Sequence, residues 1–162
     1  MTFLKPDEVR PLLTKPIPEF DLSYAVGALE ALIGATRGQP FLTQAVAFEL
    51  LQFMNEQQRK EAIAADVETA ITRALESGGE YFANVWSDAG PEGQAILRAL
   101  VSDPMSAVAA DVRRLQSQEA ENQSLLTSAA TGAMKWLREH DVLTDAGLFA
   151  VPMMERWVRE RG

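Results

Sequence analysis

The residues best placed to do chemistry lie in "GATRGQPFLTQ", Gly34 to Gln44. Glycine, arginine, glutamine and proline crowd together between the end of one helical pattern and the start of another. A helix N-terminus offers backbone N–H groups without intrahelical partners, and proline is favoured there. Gly38 lets the backbone come close to something flat or charged. From spacing alone, a helix stop followed by a helix start accounts for the same residues.

Other chemistry is restricted by residue type. The 162-residue chain has no cysteine, which excludes a disulfide framework, a thiolate metal site and cysteine catalysis. Its one histidine, His140, leaves no paired-histidine metal site within the chain. No G-x-x-x-x-G-K-[ST] loop occurs, since Lys5, Lys15, Lys60 and Lys135 all lack the preceding glycine. There is no G-x-S-x-G elbow, and the carboxylates are scattered. A self-contained enzyme is not expected, and no catalytic residue and no metal ligand is assigned.

Charge narrows the partners. The net charge is −8. Residues 1–89 carry 7 basic and 13 acidic side chains, and residues 90–162 carry 8 and 10. Neither half has the cationic excess that drives phosphate-backbone binding, so nucleic acid is not the expected partner. No apolar run reaches the length of a membrane span, and "MTFLKPDEVR" lacks a signal-peptide pattern. The expected place is the cytoplasm, away from membranes.

The elements that position these residues are mostly helical. Pro6 with Asp7 and Glu8 predicts a short helix near 6–13, and "KPIPEF" reads as extended chain. Ala25, Val26, Leu29, Leu32 and Ile33 have helical spacing over 22–35, with Ser23 or Asp21 as cap. After Pro40 comes a nearly all-apolar helix, with Leu42, Val46, Leu50 and Phe53 as its stripe. Phe41, Ala45, Phe48 and Leu51 widen that stripe. "NEQQRKEA" reads as a polar connector. Ile63, Val67, Ile71 and Leu75 mark the next helix, which ends at Gly78 and Gly79. A short aromatic helix at 80–88 follows, expected to join the two halves.

"AGPEGQ" is the best boundary. It divides a small helical bundle, 1–89, from residues 90–162. There the pattern reads as helices over 91–103, 105–118 and 125–140, the last capped by Thr127 or Ser128. A β-hairpin around Asp145-Ala146-Gly147 and a final helix carrying Met153, Met154, Trp157 and Val158 complete it. Three helices and a small wing form the winged-helix pattern, so the fold class is mainly α.

The Gly38-Gln39-Pro40 step, with Thr36, Phe41, Leu42 and Gln44 around it, resembles the Gly-x-Pro motif of STAND-type P-loop ATPases, relatives of the AAA+ class. Bacterial members often read Thr-Gly-Gly-His-Pro, so Arg37 stands for a glycine and Gln39 for the histidine. "FLKPDEVRPLLTKP" is similar to the segment leaving the ATPase core, and "ADVETAITRALESGGEYFANVW" to the end of the helical lid. "GPEGQAILRAL" and "MKWLREHDVLTDAGLFAVPMMERWV" are similar to the winged helix that follows. The resemblance covers nearly the whole chain. It implies a regulatory, non-catalytic part that senses nucleotide state and makes protein contacts, including self-assembly. ATP or ADP with Mg would be held mainly by an upstream ATPase domain. The implied nucleotide-facing residues are Gly38 and Pro40, with Arg37 and Gln39 beside them, Arg37 being equally readable as a solvated helix-end cation.

Two alternatives come from other classes. A winged helix could bind DNA through Lys135 and Arg138 of its third helix, with Arg113 and Arg114 nearby, although no Asn or Gln is placed for adenine readout. A protein-interaction adaptor without a nucleotide role is the other. Trp86, Trp136 and Trp157 are expected in the core, as is the Met153-Met154 pair, and His140 reads as a helix C-terminal histidine.

Overall fold

The computed structural model describes residues 3–102 and 124–162. Among the described residues there are eight helices and one two-stranded parallel sheet, so the protein is mainly α. The elements are α1 (Pro6–Thr14), β1 (Ser23–Tyr24), α2 (Ala28–Thr36), α3 (Pro40–Glu56), β2 (Glu61–Ala62), α4 (Ala64–Ser77), α5 (Gly79–Asp88), α6 (Gly90–Ser102), α7 (Ser124–Glu139) and α8 (Pro152–Arg161). The chain divides into two compact units, residues 1–80 with 151–153, and residues 81–150 with 154–162. The sequence boundary at 89/90 differs from this division by the length of α5.

In the first unit, α4 packs on α2 and α3. Leu29 and Leu32 of α2, Leu42, Val46, Leu50 and Met54 of α3, and Val67, Ile71 and Leu75 of α4 are buried. Val9 and Leu13 of α1 are buried as well. In the second unit α6 packs on α7, with Leu97, Leu100 and Leu137 buried. There the Trp157 ring stacks on Phe82, centroids 6.1 Å apart, and meets Trp86 at 6.0 Å.

Several expectations need correction. The helix expected from residue 22 begins only at Ala28, because Ser23 and Tyr24 pair with Glu61 and Ala62. Ser23 N–H donates to Lys60 O and Ala25 N–H to Ala62 O, both at 2.8 Å. Ser23 and Asp21 therefore cap nothing: Ser23 Oγ also donates to Lys60 O, and Asp21 pairs with Lys60 Nζ at 2.5 Å. The polar connector contains β2, held by Asp66. The Asp66 carboxylate accepts both Arg59 guanidinium nitrogens, at 3.0 and 2.8 Å, and the Ile63 N–H at 2.9 Å.

Val26, grouped by helical spacing with Leu29 and Leu32, precedes the helix and is fully exposed. Phe41 and Phe48, which widen the apolar stripe of α3, are exposed, as is Ile63, grouped with the apolar face of α4. Thr127 and Ser128 lie within α7 instead of capping it. The expected hairpin is reduced to one antiparallel bridge, Leu143 to Phe149, closed by Thr144 N–H to Leu148 O at 2.7 Å. The helix expected over 105–118 lies outside the described residues, as do Arg113 and Arg114.

Candidate functional site

The α2–α3 loop is built from its ends inward. Thr36 closes α2 and is buried; its hydroxyl donates to Leu32 O at 3.0 Å. It also accepts Thr43 Oγ1 at 3.2 Å, which ties the last turn of α2 to the first turn of α3. Arg37 adopts the left-handed conformation, φ 51°, and donates its N–H to Ile33 O at 2.8 Å. A helix often ends on such a residue, though glycine is the usual one. The Arg37 side chain is exposed.

Gly38 follows at φ 74°, so two consecutive residues turn the chain left-handed. Its carbonyl accepts the Leu4 N–H at 2.8 Å. A Cβ added to Gly38 would collide with the Leu4 carbonyl oxygen and stand 3.0 Å from the carbonyl carbon. The close approach that glycine permits here is thus to the protein's own main chain.

Gln39 is 2% exposed. Its Oε1 accepts the Leu42 N–H at 2.6 Å, and its carbonyl accepts the Thr43 N–H at 2.9 Å. It therefore caps α3 and satisfies donors that the helix itself leaves open. Pro40, half-buried, occupies the first turn.

The structure thus brings Arg37, Gly38, Gln39 and Pro40 into one loop and gives them unequal work. Gly38 and Gln39 are buried and bonded internally. Arg37 is exposed and Pro40 is half-buried.

The second unit treats its candidate cations differently. Lys135 Nζ pairs with Glu139 at 3.6 Å, one turn along α7. Arg138 is half-buried, and its Nη2 would lie 4.0 Å from a Cβ on Gly147. Lys135 is exposed, whereas Arg138 is partly covered. His140 Nδ1 lies 2.9 Å from Trp136 O, and its ring stacks on Trp136 at 4.1 Å. Trp157 is in the core as expected, with Met153 and Met154 also buried. Trp136 and Trp86 are only half-buried, and Trp86 carries the Arg98 guanidinium over its ring at 4.8 Å.

One feature escapes the sequence reading: an open groove of about 710 Å³ between α1 and the β1–α2 turn. Tyr24, Val26 and Leu29 line it, and Arg10 bonds Glu30 across it at 3.0 Å. Burial pushes the Tyr24 phenol up to about 12. The Glu30 carboxyl lies below its ordinary range, first through a backbone hydrogen bond and then through Arg10. The strand residues in "DLSYAVG" were the available signal, hidden by their helical spacing. Among the described residues, no group of three or more His, Asp or Glu side chains could hold a metal ion, and no helix is long and apolar enough to cross a membrane.

No family model, no curated protein and no solved structure matches the chain.

Proposed function

We propose that the chain is a non-catalytic regulatory module of a STAND-type, AAA+-related ATPase. The 37–40 loop is one wall of a nucleotide pocket, and an upstream P-loop domain supplies the other wall and the hydrolytic groups. ATP or ADP with Mg is held mainly by that domain, and the compartment is the cytoplasm. Residues 1–89 act as the helical lid and residues 90–162 as a winged helix. The lid closes on ADP and is released when ATP replaces it, exposing a surface for protein contacts or self-assembly. Such a switch requires different contacts in the two nucleotide states.

The observation that carries this reading is the loop itself. Gly38 and Gln39 are consumed in holding its shape, while Arg37 and Pro40 keep surface at the head of the 17-residue α3, which buries one face through Leu42, Val46, Leu50 and Met54. The segment Phe3–Lys5 reaches the same loop through Leu4, so a domain preceding it would enter beside the proposed pocket.

The test is Pro40→Ala in the protein carrying the ATPase domain, with ADP affinity as readout. Loss of the ring contact is expected to weaken ADP by about fivefold, the equivalent of roughly 1 kcal/mol of apolar contact. Unchanged affinity removes Pro40 from the pocket.

A further inference from the structure

We propose that the segment Phe3–Lys5 is a strap that holds the 37–40 loop and passes displacement of the incoming chain to the start of α3. The loop is braced on one side by local contacts: Thr36 with Thr43, and Gln39 with Leu42. Its other side is made by a segment more than thirty residues away in sequence, through Leu4 N–H to Gly38 O. Main chain meets main chain there, since only a glycine leaves room for the Leu4 carbonyl.

The strap is stiffly continued. Lys5 N–H donates to Glu8 Oε2 at 2.7 Å, and the Lys5 carbonyl accepts the Glu8 and Val9 N–H groups at 2.9 Å. Pro6 opens α1, and buried Val9 and Leu13 fix that helix in the first unit. The loop it grips holds two successive left-handed residues, one of them the non-glycine Arg37. An L-residue is strained in that conformation and keeps it only where its surroundings enforce it. Releasing Leu4 removes one of those constraints. The regulatory consequence rests on the nucleotide-facing reading of the loop; the mechanical coupling does not.

The test is amide hydrogen exchange on the full 162-residue chain, without nucleotide. Two variants are compared with the wild type: Leu4→Pro, which removes the donor, and deletion of residues 1–4, which removes the strap's contact with Gly38 and leaves Lys5 and α1. The Arg37, Gln39 and Leu42 amides, all bonded within the loop, are expected to exchange about tenfold faster in both, the upper range for one hydrogen bond. The Ala25 amide, bonded to Ala62 O, keeps its wild-type rate and reports that the unit is folded. If Leu4→Pro fails to fold, the deletion decides. Loop amides at wild-type rates overturn the proposal, as does a wild-type Leu4 amide without protection. Neither result bears on ADP affinity, which fails or holds separately through Pro40→Ala.

Discussion

Two turns in the first unit use a left-handed glycine just before a helix, and they use it differently. Gly27, φ 83°, precedes α2 with nothing within 4 Å of where a Cβ would stand. Gly38, φ 74°, precedes α3 with the Leu4 main chain against it. Both need glycine for backbone conformation, and only Gly38 also needs it for space. The turn at Gly27 borders an open groove beside fully exposed Val26. The turn at Gly38 is packed shut on one face by the Leu4 main chain. Identical backbone chemistry thus gives one turn that is merely permitted and one that is held.

Alanine substitutions break this comparison most directly. Gly38→Ala combines left-handed strain with expulsion of Leu4, and is expected to cost about 2–3 kcal/mol by urea unfolding. Gly27→Ala carries the strain alone, about 1 kcal/mol. Equal losses at the two sites would mean that Leu4 contributes nothing. Gly34→Ala lies within α2 with open space around it, and is expected to gain roughly 0.5–1 kcal/mol from helix propensity.

The smallest effect near neutral pH concerns Tyr24, beside the Gly27 turn. Its folded phenol is raised from 10.0 to about 12 by burial. The folded state therefore holds the proton more tightly than the unfolded chain does. The resulting stability is present below pH 10 and is lost as pH rises toward 12. Tyr24→Phe should flatten that alkaline decline in unfolding experiments while leaving the curve near pH 7 almost unmoved. A decline of equal slope in the variant would place its origin elsewhere.

The sequence made the helices legible where local chemistry sets their ends. Pro6, Pro40 and Pro152 stand at helix starts, and Gly78 stands at the end of α4. It hid the sheet because Ala25, Val26 and Leu29 repeat with helical spacing, whereas β1 is decided by Lys60 and Ala62, far along the chain. Such pairing is non-local and leaves no local period. The outward Phe41 and Phe48 of α3 were misplaced for a related reason: a helix apolar all round does not announce which side is buried. In the candidate site, Pro40 and Gly38 stood out as turn residues. Gln39 as cap and Leu4 as partner of Gly38 did not, because glutamine is not among the usual cap residues and a main-chain contact across more than thirty residues has no sequence signature.

The proposed role of this chain is to form one wall of a nucleotide pocket. The direct measurement is ADP affinity of the ATPase domain with and without the 162 residues attached, by calorimetry at one salt concentration. At least about tenfold tighter binding is expected when the chain is attached, equivalent to roughly 1.4 kcal/mol of added contact. Equal affinities would contradict it.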